Sequence, residues 1–327
     1  MNLMILSPGR RVEVVQYFKN EFHKRGFKVF TLDMSPYAPA LYEGDESFVV
    51  KKDFNNLDSY IDDVIKICCS NNVGAIITLI DPELLLIAKN KEKFLANNII
   101  PIVSDLDTIE YTFDKYEFSI KLKDKVNVIP TYNGYEEIIE AIKSKKVDFP
   151  IFAKVIDGSG SVGIGKINNY NELDGYIDKY NYIFQPYVKE KEYGIDIYFD
   201  MIDGKIKEFF IKEKLNMRAG ETDKSISIYR EDIQDIIFNL EGLGFYGPID
   251  MDIFEDENGK LYVNEINPRF GGGYSHAYNS GVDFIKCIAN NLFGKVNDEC
   301  FGKYEKDLVM LKYNGTKFIK KNKMKLL

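Results

Sequence analysis

Histidine is almost missing from this 327-residue chain: His23 and His276 are the only two. Chemistry built on an imidazole triad or on a multi-histidine metal centre is therefore a poor expectation. Cysteine is scarce too. Cys68 and Cys69 are adjacent, Cys287 and Cys300 stand far away, and no C-x-x-C pair occurs. Neither a zinc site nor a disulfide framework fits that spacing, and a reducing cytoplasm is the expected location. No apolar run reaches the roughly 18 residues of a membrane span. The longest candidate, 74–88, is broken by Asp81, Pro82 and Glu83, so no membrane partner is expected. The first residues lack a basic region and a small-residue cleavage site, and read as a strand rather than a signal peptide. Positive charge is in deficit. A net charge of −8 repels phosphate backbones, so no nucleic-acid partner is expected. Arginine occurs only at positions 10, 11, 25, 218, 230 and 269. Where lysine is the default cation, each planar fork able to grip a carboxylate or phosphate is worth following.

What is present is a globular composition, 45% hydrophobic and 29% charged, on a chain long enough for two or three domains. Residues 1–105 alternate strands (2–6, 27–32, 47–50, 75–79, 99–103) with helices (from 12 to near Gly26, 57–68, 83–97). That alternation predicts a doubly wound parallel sheet. Ligands of such sheets sit beyond the carboxyl ends of the strands, here at loops 7–11, 33–41 and 80–83. From about 106 the texture changes. Helices are predicted at 107–123, 135–144, 171–180 and 230–243, and strands at 149–155, 164–167, 183–188, 192–201 and 207–215. Residues 216–225 read as a loop. A hairpin, 249–254 with 261–266, turns at Asn258-Gly259. A last helix is predicted near 282–292, and 301–327 is a Lys-rich tail.

Gly158-x-Gly160-x-x-Gly163 is flanked by strands on both sides. It therefore reads less as a dinucleotide fingerprint than as a hairpin tip able to fold over polyphosphate through unobstructed N–H groups. A plain surface hairpin is the other reading. Ile164 after Gly163 excludes a Walker A loop. Lys154 lies inside the apolar run 151–156 and needs a partner if buried; nucleotide phosphates would supply one. The second constellation is Asp252, Glu265, Asn267 and Arg269. Strand alternation lets Glu265, Asn267 and Arg269 share a face, with Asp252 opposite across the hairpin. Two carboxylates and an amide oxygen make a hard-oxygen set suited to Mg²⁺. Asp250 shares the face of Asp252 and is the alternative ligand, or a solvated acid.

In order along the chain, Asp114-Lys115, Lys154, the glycine loop, Phe184-Gln185-Pro186-Tyr187-Val188, Glu192, Asp252 and Glu265-Ile266-Asn267-Pro268-Arg269 resemble the ATP-grasp superfamily. The nearest shape is its single-module carbamoyl-phosphate-synthase-like group, which includes carboxylate–amine ligases. The resemblance covers about 106–295, and residues 1–105 resemble the domain that usually precedes the grasp module. It implies a Rossmann-like pre-ATP-grasp domain over 1–106, a small lobe over 107–186, a large lobe with the metal site over 187–300, and the tail 301–327. By resemblance, Lys115 and Lys154 would hold the α- and β-phosphates. Gly158, Ser159, Gly160, Ser161 and Gly163 would close over the β- and γ-phosphates. Gln185, Pro186, Tyr187 and Val188 would form the adenine hinge, and Glu192 would take the ribose hydroxyls. Asp252, Glu265 and Asn267 would bind Mg²⁺, with Mn²⁺ as an alternative. Arg269 and Arg218 would steady the transferred phosphoryl group or the substrate carboxylate. Gln185 departs from the family, which often has Glu there.

The resemblance implies an ATP-dependent ligase joining a small carboxylate, an amino acid in the simplest case, to an amine through an acylphosphate. The alternatives are a small-molecule kinase or a carbamoyl-phosphate-synthase-like enzyme on the same scaffold, and a non-catalytic ATP-binding module. Arg10 and Arg11, after the first strand, point to an anionic substrate between the two regions. A homodimer is one assembly the chain could form. His276, just after the glycine run, is either a pocket residue or a structural hydrogen bond.

Overall fold

The computed structural model describes residues 1–156, 164–188, 191–218 and 220–325. The first unit grows from short apolar runs. Leu3, Met4, Ile5 and Leu6 are fully buried, because a parallel strand covered on both faces has no polar side to keep. Five strands, β1 (Asn2–Leu6), β2 (Val29–Asp33), β3 (Glu46–Val49), β4 (Val73–Thr78) and β5 (Ile100–Pro101), form a parallel sheet in the order β3-β2-β1-β4-β5. The doubly wound sheet is as expected. The 83–97 helix is instead two, Asp81–Lys89 and Lys91–Ala96. Strand order reverses between β1 and β4. The segments that follow them, with Arg11 in the first and Asp81 opening the helix after the second, flank the crevice where such sheets bind ligands.

A four-stranded antiparallel sheet comes next: β6 (Tyr132–Asn133), β7 (Ile151–Val155), β8 (Gly165–Ile167) and β9 (Tyr182–Pro186), in the order β6-β9-β7-β8. Its apolar face packs on helix Gly134–Lys143. The expected 107–123 helix is also split, into Leu106–Phe113 and Lys115–Leu122. Asp114 breaks it by capping the second piece, its Oδ1 accepting from the backbone N–H of Tyr116 and Glu117. The 171–180 helix shortens to Tyr170–Asp174.

The largest sheet has six strands: β10 (Lys191–Phe199), β11 (Ile206–Arg218), β12 (Glu221–Ile228), β13 (Gly247–Glu255), β14 (Leu261–Asn267) and β15 (Val309–Leu311), in the order β14-β13-β10-β11-β12-β15. The 216–225 stretch expected as a loop is mostly the meeting of β11 and β12. Alternation splits the sheet's faces. Tyr193, Ile195, Ile197 and Phe199 enter one core with Phe209, Ile211, Met251 and Ile253. Glu192, Gly194 and Asp196 look the other way. A second core runs from Val15 and Phe18 of the first unit to Phe210, Phe270 and Phe284 of the third, with the Phe18 and Phe270 rings edge to face at 5.8 Å. The Lys-rich segment after 300 buries Tyr304 and supplies β15. It then crosses to the first unit, where Lys317 pairs with Glu43. Among the described residues no helix is long and apolar enough to cross a membrane.

Candidate active site

Register assembles the acidic face. Across β13 and β14, Asp252 stands opposite Glu265 and Asp250 opposite Asn267. Across β10 and β13, Gly194 meets Asp252 and Asp196 meets Asp250. Asp250 and Asp252 behave differently. Burial would raise Asp250, but Arg269, Lys212 and Lys214 together hold its carboxyl below the usual range. Burial pushes Asp252 up to about 7, opposed by Lys214 and assisted by Asp250, Glu265 and Glu192. So much confined negative charge suits a hard cation, and two carboxylates with an amide oxygen are the donor chemistry Mg²⁺ takes. Among the described residues no three acidic, histidine or cysteine side chains already converge as a metal cage. Asn267 Nδ2 lies 3.5 Å from Glu265 Oε1.

Lys154 reaches this face from the small sheet. The β13–β14 pairing slips after Asp252, and the bulge leaves Asn264 unpaired in the ladder. Its Oδ1 accepts from Lys154 Nζ at 2.9 Å, bridging two sheets. Burial lowers the Lys154 ammonium to about 8; Glu265 opposes that and nearby Lys115 adds to it. Lys115 starts its helix with its backbone N–H on the carbonyl of Ile156, at the exit of β7. The two lysines named from sequence therefore stand together. Gly158, Ser159, Gly160, Ser161 and Gly163 lie outside the described residues. Gln185 is buried and its amide donates to Thr131 Oγ1 at 2.9 Å. Pro186 pairs with Ile151, and the Tyr187 backbone N–H bonds the carbonyl of Pro150. Val188 follows, half-buried. Glu192 accepts from Lys214 Nζ at 3.0 Å.

Arg269 does something sequence reading had not assigned. Its Nε and Nη2 grip both oxygens of Asp81 at 2.9 and 3.1 Å, and Nη1 donates to Asp250 at 3.0 Å. Those carboxylates raise its already high pKa despite burial. Arg11 approaches the same segment, its Nη1 donating to the carbonyl of Phe270 at 2.6 Å. Burial and the nearby Arg269 lower its guanidinium to about 10. The crevice of the parallel sheet thus docks onto the end of the Glu265–Arg269 motif. Arg218 ends β11, exposed and in register with Glu221. The run Gly271–Gly273 lies tight against the acidic face: a Cβ on Gly271 would collide with Asp250 Oδ1, and those on Gly272 and Gly273 would press on Glu221 and Lys212 at 3.1 Å. His276 is structural. Its Nδ1 meets Ser225 Oγ at 2.7 Å and Nε2 the Leu308 carbonyl at 3.0 Å, and burial lowers it to about 4.

The family model for PylC-like N-terminal domains matches residues 3–102, and that for ATP-grasp domains matches residues 112–273. The chain carries an ATP-grasp domain. A carbamoyl-phosphate synthase of Methanobrevibacter smithii is 23% identical over 342 residues, covering 96% of this chain and 88% of that protein. An N5-carboxyaminoimidazole ribonucleotide synthase of Staphylococcus saprophyticus is 22% identical over 292 residues, covering 82% and 73%. Among solved structures, an N5-carboxyaminoimidazole synthetase of Staphylococcus aureus complexed with ADP has a TM-score of 0.72 at 20% identity, covering 91% of this chain and 78% of that one. The biotin carboxylase domain dimer of the Hydrogenobacter thermophilus 2-oxoglutarate carboxylase, with MgADP and bicarbonate, has a TM-score of 0.73 at 16% identity, covering 94% and 73%. These likenesses show a shared fold. Within the ATP-grasp domain, sequence reading passed over Lys212 and Lys214. The spacing Lys-x-Lys on a strand facing the acids was the available signal.

Proposed function

We propose that this protein is an ATP-dependent carboxylate–amine ligase. The observation that carries this reading is the meeting of three elements: the acidic hairpin, Lys154 arriving from the small sheet, and the Arg11 crevice docked against Arg269. ATP lies between the two lobes. Gln185–Val188 would meet the adenine; the Gln185 amide nitrogen is tied to Thr131, which leaves its carbonyl oxygen as the group that would accept from the adenine amino group. Glu192 takes the ribose, and Lys115 and Lys154 hold phosphates. Asp252, Glu265 and Asn267 would hold Mg²⁺, which would neutralise phosphate charge. A small carboxylate, held near Arg11, attacks the γ-phosphate and gives an acylphosphate and ADP. An amine then displaces phosphate. A carboxylate needs no base to become a nucleophile, so the chemistry rests on positioning and charge neutralisation, and His276 is not required. We assign the lobes to 107–186 and 187–300 after a first domain of 1–106, and a homodimer and a cytoplasmic location belong to the same reading.

Hydroxylamine tests the mechanism. With ATP, Mg²⁺ and a panel of amino acids and small acids, the correct acid yields a hydroxamate, with ADP and phosphate in equal amounts. ADP matched by a stable phosphate ester, with no hydroxamate or amide, makes the protein a small-molecule kinase instead.

A further inference from the structure

We infer that Lys214 is a built-in counter-cation, a positioning residue that spans the ribose-side carboxylate Glu192 and the metal-side carboxylate Asp252 and yields Asp252 when a divalent ion arrives. This rests on the nucleotide reading above for the naming of those two acids, but its geometry stands alone. Lys214 Nζ lies 3.0 Å from Glu192 Oε1 and 2.5 Å from Asp252 Oδ1, and the lysine side chain is 5% exposed. The sheet makes room for it. Gly194, on the strand between, would carry a Cβ 2.9 Å from Lys214 Cε and 3.0 Å from Lys212 Cε. A glycine mid-strand is otherwise unfavourable; here its bare backbone is the slot in which both lysines lie. The two lysines divide the acids. Lys212 closes on Asp196 in a fully buried pair, leaving Lys214 to the pair that faces Lys154 and Glu265. Without Lys214, Asp252 would be buried without the cation that closes on it at 2.5 Å, which is strongly unfavourable.

The test is thermal unfolding of the full chain without nucleotide, with and without millimolar Mg²⁺. Lys214→Met is expected to melt at least about 5 °C below wild type in metal-free buffer. Mg²⁺ alone should restore most of that loss while barely moving wild type. The double variant Lys214→Met with Asp252→Asn removes one charge of each sign and should melt near wild type without metal. It also covers the case in which Lys214→Met fails to fold, since its own failure to fold would overturn the proposal. Equal melting of Lys214→Met and wild type in metal-free buffer, or an equal Mg²⁺ shift in both, would overturn it as well. Calorimetry of Mg-ATP on wild type separates the two readings: absent binding removes the nucleotide assignment and leaves the Mg²⁺-linked melting to decide Lys214.

Discussion

The parallel sheet of the first unit and the six-stranded sheet of the third both bury charge, and they balance it in opposite ways. In the first, Glu83 is 2% exposed and its carboxylate is saturated from within. Ser7 and Tyr60 donate at 2.8 Å, Lys52 stands at 2.5 Å, and Thr78 completes the set. In the third, Glu192, Asp196, Asp250, Asp252 and Glu265 share one face, and Asp196 Oδ1 has no hydrogen-bond partner among the described residues. In the first network every acid oxygen meets a donor; on the third sheet the acids share their cations, Lys214 serving both Glu192 and Asp252, and one buried oxygen is left without a donor.

The largest expected effect tests the saturated side. Glu83→Ala strands Lys52 and should cost about 3–5 kcal/mol in urea unfolding, and a loss below about 1 kcal/mol would erase the contrast. Glu265→Gln tests the acidic face. Turnover measured as ADP release should fall at least about 100-fold, with unfolding free energy changed by less than about 1 kcal/mol; wild-type turnover would remove Glu265 from the metal set. Lys154→Ala should weaken Mg-ATP binding by about 1.5–3 kcal/mol in calorimetry, and unchanged affinity in a folded variant would take Lys154 out of the site.

The smallest effect concerns Glu208, at the remote end of the charged face beside Cys287. Burial pushes its carboxyl up from 4.5 to about 7, and Asp283 adds to that. Because the folded state favours the neutral acid, its contribution is full below the ordinary value and is lost as pH rises to about 7. Stability measured from pH 4.5 to 7 should therefore decline in wild type relative to Glu208→Gln, by about 1–2 kcal/mol across the window. Parallel pH profiles for the two proteins would show that burial does not hold Glu208 neutral in the folded state.

Much of this was legible in the sequence because it is local. Strand alternation gave the faces of β13 and β14, and apolar runs gave the parallel sheet. The misses have physical causes. Residues 216–225 are polar and carry Gly220, so they read as a loop; β11 and β12 pair there because β10 and β15 extend the sheet on either side. Asp114 looked like one more helical residue, and only its cap geometry ends one helix and begins another. The Arg269–Asp81 fork joins residues 188 positions apart, and no spacing encodes that distance. Asp250 and Asp252 could not be told apart by alternation, since both face the same way; the difference lies in which cation each meets.

The strand Val309–Leu311 pairs with β12, although translation delivers it long after β12 has been made. Until then the outer backbone groups of β12 form an open edge, the kind of surface that invites pairing with another chain. Lys312 then anchors the closing segment on Glu221 and the Gly272 carbonyl, beside the carbonyls that Arg11 holds. The arrival of this segment therefore does two things at once during biosynthesis: it retires an aggregation-prone edge and completes the wall of the crevice, so a nascent chain lacking it would be both sticky and unfinished beside the carbonyls that Arg11 holds.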